Sequence, residues 1–178
     1  MILSVCPHTA LDRVMFIDEW VPGTPMRTDR IVDSVGGKGL NSAVVLSQLN
    51  VETTALGFFA GKVGQDLREL VEDYGIKVDP VWVDGANRVA HVIAETKKNI
   101  HSHVIAGKVL IDEAQEAAFI EKYLSYLPQS EYVIIGGSIP PVLTQDFNAR
   151  LVKIAKEAHV PVLVDCQKQA MVEVVKAR

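Results

Sequence analysis

Residues 132–165 run Tyr132-Val133-Ile134-Ile135-Gly136-Gly137-Ser138-Ile139-Pro140-Pro141, continue through an amphipathic stretch from Gln145 to Ala158, and close on Val160-Pro161-Val162-Leu163-Val164-Asp165. The apolar run ending at glycine predicts a strand buried on both faces. Two such strands joined by a helix form a βαβ unit, whose strands lie parallel. The alternation extends outward. Ile2–Val5, Glu52–Gly57 and Val78–Val83 predict further strands. Helices are predicted on the pattern Ala43, Val44, Leu46, Leu49, over Gln65–Tyr74 closed by Gly75, over Asp112–Leu127, and from Lys168 to Val175. Asp112 reads as an N-cap and Pro128 as a stop. Gly61–Gly64 reads as a loop. The expected class is α/β, a parallel sheet with flanking helices.

Four segments differ. Val14–Ile17, Arg30–Val32, Val89–Glu95 and Ile100–Ile105 read as half-exposed strands, the last two joined by Lys97-Lys98-Asn99. They predict a small sheet standing off the main domain. At 178 residues the chain is about one domain. Its 48% hydrophobic and 22% charged residues exclude a disordered protein. A net charge of −4 gives no basic surplus for nucleic acid or a membrane surface, and 6% aromatics is thin for base stacking. Cys6 and Cys166 stand far apart, so a reducing, cytoplasmic setting is expected. The apolar run at Met1–Val5 is too short for a signal peptide, and no stretch reaches the roughly 18 residues of a membrane helix.

Gly36-Gly37-Lys38-Gly39-Leu40-Asn41 stands where a helix begins. Glycines at a helix start let backbone N–H groups approach an oxygen-rich ligand. Lys38 can add a charged contact, and Asn41 both a donor and an acceptor. A tight turn capping a helix reads the same way. The stretch is not a phosphate loop of the Gly-x-x-x-x-Gly-Lys-Ser/Thr type, and Ser42 breaks the dinucleotide fingerprint. Gly136–Pro141 follows an apolar strand, on the side where α/β sheets bind ligands. Asp12 sits shortly after the first strand and Arg88 just before an alternating one; each also reads as an ordinary surface charge. His101 and His103 share a strand face without a third ligand nearby, so no metal site is expected.

Order and spacing join these signals. Cys6-Pro7-His8-Thr9-Ala10-Leu11-Asp12 resembles the Asn-Pro-Ala-Leu-Asp opening of the PfkB (ribokinase-like) sugar kinases, with an insertion and without the Asn. Gly36–Asn41 with Gly57 and Gly64 resembles that family's first signature. Asn87-Arg88 resembles its Thr-Arg pair, Gly136–Pro141 its Ser-Gly-Ser-Leu-Pro-Pro, and Val164-Asp165-Cys166 its Leu-Asp-Thr-Ser-Gly strand end. Within the family the chain looks most like the 1-phosphofructokinase and tagatose-6-phosphate kinase branch. The resemblance implies that Asp12, Gly37, Asn41 and Ser138 hold sugar hydroxyls, and that Lys38 and Arg88 hold the phosphate already on the sugar. It implies a β-sheet lid from about 13–32 and 88–105 that often mediates dimers. The implied chemistry is ATP-dependent phosphorylation with Mg2+.

The departures are equally specific. Family members run to roughly 300 residues, still within reach of one α/β domain. Their second half carries an Asn-x-x-Glu metal region and a Gly-Ala-Gly-Asp segment whose Asp is the base. Gly-Ala-Gly-Asp does not occur in this sequence, and Ile100–His103 stands in place of Asn-Glu-Pro-Gly. The expectation is therefore a single incomplete ribokinase-like domain over 1–178, with the C-terminal part of the fold missing. It would be the sugar-binding part of a sugar-phosphate kinase, inactive alone, with no catalytic residue of its own. No ATP or Mg2+ is expected to bind this chain by itself. The alternative is a non-catalytic sugar-phosphate-binding or regulatory protein. The expected partners are a sugar phosphate and a second copy, through the lid or an exposed sheet edge, with neither nucleic acid nor membrane.

Overall fold

The computed structural model describes residues 1–177. The main sheet takes β1 (Ile2–Cys6), β4 (Thr53–Ala60), β5 (Lys77–Gly85), β8 (Val109–Leu110), β9 (Tyr132–Gly136) and β10 (Val162–Asp165). Its order is β10-β9-β1-β4-β5-β8, parallel except for β8, which pairs antiparallel with β5. Every residue of β4 is buried, which is why its sequence is apolar without alternation. Leu56 and Phe58 face one side, with Leu3, Val5, Val133 and Ile135. There they meet α3 (Glu113–Tyr126), α4 (Phe147–Glu157) and α5 (Lys168–Ala177). Phe58 stacks on Phe119 at 4.5 Å, and Phe147 meets Phe119 at 5.4 Å. Ala55 and Phe59 face the other side, against α1 (Lys38–Gln48) and α2 (Gly61–Glu72). Asp112 caps α3 through a reciprocal capping box with Gln115.

The second sheet has the order β3-β2-β6-β7, from β3 (Ile31–Gly36), β2 (Ala10–Ile17), β6 (Arg88–Glu95) and β7 (Ile100–Ala106). All of β7 is exposed, and Ile31 and Val32 on the opposite edge are half exposed. Asp12 stands shortly after β1 as expected, inside β2 on the second sheet. Two local readings differ from the structure. Arg88 opens β6 and does not precede it. Gly61–Gly64 is the first turn of α2 and not a loop. Glycine is a poor helix former, but packing requires it here. A Cβ on Gly64 would stand 2.6 Å from Asn87 Oδ1, the atom that accepts the Ala60 N–H at the helix start.

From β1 the chain builds outward to β4 and β5 on one side and to β9 and β10 on the other. The order therefore switches direction at β1, and ligands in open α/β sheets bind beyond the strand ends at such a point. The second sheet is hung from that same end, since β2 leaves β1 after three residues.

Candidate functional site

A cleft of about 800 Å3 opens between the carboxyl ends of the main sheet, the start of α1 and the second sheet. Asp12, Gly37, Lys38, Asn41, Arg88 and Ser138 all line it. Residues up to 126 positions apart in sequence thus meet in one hollow. A groove of about 750 Å3 beside α3, lined by Glu113, Glu116, Ile120, Leu124 and Arg150, shares none of them.

The start of α1 forms the floor. Gly37 adopts φ 92° as N-cap, a conformation other residues rarely hold, and no side chain caps the helix. Ungripped N–H groups at a helix N-terminus favour anionic oxygen. The helix start lies against the sheet backbone: a Cβ on Gly136 would stand 2.5 Å from the Gly39 nitrogen. Lys38 donates to Asp165 Oδ1 at 2.7 Å, joining α1 to the end of β10.

The second sheet supplies the opposite wall. Asp12 pairs with Ala90, and Ala90 with Ile105, so these three share a face of the sheet. His103, two residues from Ile105, lines the cleft on the same face. Burial raises the Asp12 carboxyl above its ordinary value, while His103 and Arg88 pull it back. Arg88 Nη2 donates to the His8 carbonyl at 2.5 Å, while its Nε is buried without a partner. Cations (Lys38, Arg88) and polar groups able to hydrogen-bond a hydroxyl (Asp12, Asn41, Ser138) thus converge, a combination suited to a ligand that is both polyhydroxylated and anionic.

His8 was not singled out in the sequence, although it sits inside the quoted Cys6–Asp12 stretch. Its Nδ1 lies 3.0 Å from Ser138 Oγ. Burial, helped by Arg88, lowers its pKa from 6.5 to about 3, so the ring is neutral in the fold. An unfolded histidine takes up a proton below its ordinary pKa. His8 therefore contributes stability that is full above pH 6.5 and lost as pH falls toward 3. Between pH 7 and pH 5 its share of the loss is about 2 kcal/mol. Denaturant unfolding at both pH values should show a smaller drop for His8→Asn; an equal drop counts against a neutral His8.

Gln145, Cys166, Gln167 and Lys168 also line the cleft and were missed as site residues. The position of Gly136–Pro141 and Asp165 at strand ends was the signal for that side. Cys166 is buried, and burial raises its thiol pKa, which fits a wall residue and not a nucleophile. Among the described residues no three His, Cys, Asp or Glu side chains stand together as metal ligands. Asp12 faces His103 and Arg88, and Asp165 is held by Lys38.

The parallel sheet, its flanking helices and the smaller second sheet make up the mixed α/β fold expected from the sequence. The sequence matches the pfkB family of carbohydrate kinases over residues 5–177. The chain belongs to that family. Its fold is similar to that of a possible 1-phosphofructokinase from Thermotoga maritima, with 28% identity and a TM-score of 0.92, over 98% of this chain and 56% of that one. It is also similar to phosphofructokinase-2 from Escherichia coli in complex with fructose-6-phosphate, with 20% identity and a TM-score of 0.88, over 99% of this chain and 58% of that one. A tetrameric inhibited form of the same Escherichia coli enzyme gives 21% and 0.86, over 98% and 57%. The chain spans somewhat over half the length of these structures. Among the described residues no helix is long and apolar enough to cross a membrane.

Proposed function

We propose that this chain binds a sugar phosphate and supplies the sugar-binding part of a PfkB-type kinase, without turnover of its own. The observation that carries this reading is the convergence of Lys38, Arg88, Asp12, Asn41 and Ser138 on one cleft at the switch point of the sheet. Lys38 and Arg88 hold the phosphate already present; Asp12, Asn41, Ser138 and the Gly37 backbone hold hydroxyls. The reaction served is transfer of a phosphoryl group from ATP to a hydroxyl of that sugar phosphate. Such transfer needs a group to orient the attacking hydroxyl and a metal to offset charge. The sequence offers no Gly-Ala-Gly-Asp segment to supply the first. Two buried, unpaired thiols support a reducing, cytoplasmic setting.

Calorimetric titration with fructose 6-phosphate, fructose 1-phosphate and tagatose 6-phosphate tests the binding. Saturable binding of one of them, with no ADP formed from ATP and Mg2+, is the expected pair of results. Absence of binding removes the reading, and robust turnover by the purified chain removes its non-catalytic part.

The partner reading is self-association. Among the described residues β10 is an edge of the main sheet, and Leu163 on it is 60% exposed. β7 is the corresponding edge of the lid, with Val104 57% exposed. Unpaired edges with apolar side chains template pairing. Light scattering at high concentration should show dimers or larger species. Leu163→Lys or Val104→Lys should release monomer and so identify the edge used, whereas a wild-type chain that is fully monomeric sinks the proposal.

A further inference from the structure

We propose that His8 is a positioning residue that ties the hydroxyl subsite to the phosphate subsite of the cleft. This rests on the sugar-phosphate reading above. Two hydrogen bonds of His8 go to residues of different subsites. Its ring nitrogen Nδ1 stands 3.0 Å from Ser138 Oγ, beyond β9 of the main sheet. Its carbonyl accepts from Arg88 Nη2, on β6 of the lid. The residue lies in the three-residue link between β1 and β2, and it is 8% exposed.

Two physical consequences follow. Ser138 can rotate its hydroxyl freely unless a partner fixes it. A neutral imidazole at 3.0 Å is such a partner, so the hydroxyl meets a ligand pre-oriented and the cost of ordering it on binding is lowered. Burial beside Arg88 keeps the ring neutral above about pH 3. The tie therefore persists across the physiological range. Meanwhile the Arg88 fork is held by a backbone carbonyl, which no side-chain substitution at position 8 removes. His8→Ala consequently loosens Ser138 and leaves the Arg88 contact in place.

The test uses three variants and two readouts. Titration with the sugar phosphate that binds best should show His8→Ala weakened about 5–10-fold and Ser138→Ala by a similar factor. The double variant should be no more than about 2-fold worse than the poorer single one, because both remove the same interaction. His8→Asn, whose amide can still meet the hydroxyl, should recover to within about 2-fold of wild type. Multiplying effects, or an unchanged affinity in a folded His8→Ala protein, overturns the proposal. The second readout needs no ligand. Ring-nitrogen NMR should show His8 not titrating between pH 5 and 8, and its Nδ1 resonance should move in Ser138→Ala. A wild type that binds no sugar phosphate removes the functional reading. A His8 ring that titrates near neutrality, or that ignores Ser138→Ala, removes the tie itself.

Discussion

Gly39→Ala should lower the melting temperature by about 6–12 °C, a loss of about 3 kcal/mol at the upper end of ordinary overpacking costs. Helix propensity points the other way, since alanine is favoured over glycine inside a helix by about 1 kcal/mol. The packing decides the sign. A Cβ at Gly39 would stand 2.4 Å from the Val5 carbonyl oxygen, 2.8 Å from the Val5 carbonyl carbon and 2.8 Å from Cys6 Cβ. Val5 belongs to β1, which is paired on both sides, by β4 and β9. Its backbone has nowhere to retreat. The Gly136 backbone is close as well, since a Cβ there would stand 2.5 Å from the Gly39 nitrogen. The Ser4 hydroxyl, buried, donates to the Gly39 carbonyl at 2.6 Å. Alanine would lift the start of α1 from the sheet and move Gly37, Lys38 and Asn41 with it. Thermal unfolding checks the stability, and calorimetry should show sugar-phosphate binding lost as well. A variant as stable as wild type would falsify the backbone-on-backbone account of this corner.

Arg88→Ala should weaken sugar-phosphate binding about 100-fold, while binding of the unphosphorylated sugar changes less than about 3-fold. Removing one partner of a buried charged pair costs 2–5 kcal/mol, and 100-fold corresponds to about 2.8 kcal/mol. Arg88 is placed for this by the lid. It opens β6, pairs in register with Ala10, and reaches the His8 carbonyl. Lys38, half exposed and already paired with Asp165, is the weaker cation. Arg88→Lys should recover only part of the affinity, because the fork that engages two oxygens is lost. A loss below about 5-fold, or an equal loss for the unphosphorylated sugar, would remove Arg88 from the phosphate subsite.

Much of this was legible in the chain. The strands at Ile2–Val5 and Tyr132–Ile135 announce themselves because both faces pack on something, leaving no polar alternation; Val160–Val164 is as apolar, but β10 packs on one face only and Leu163 stays exposed. Gly36–Asn41 is legible because a backbone approach needs glycine at fixed positions. Gly61–Gly64 misled for the converse reason: Gly64 makes room for Asn87 and Trp82, and Gly61 for the Gly85 carbonyl, across space where local propensity cannot see them. The lid strands were found from their alternation. The parallel pairing of β2 with β6 was not, since their partners lie 78 positions apart in register. His8 escaped because its role depends on Ser138 and Arg88, 130 and 80 residues away.

By itself, then, the sequence determined the α/β class, the lid strands, and the residue types available for an anionic, hydroxylated ligand. Those properties are written in short-range patterns of burial and turn chemistry. The tertiary structure alone decided that Asp12 faces His103, that Lys38 reaches Asp165, and that His8 joins Ser138 to Arg88. Each of those placements depends on sheet order and register, which are set by burial of the whole core and not by any neighbour along the chain.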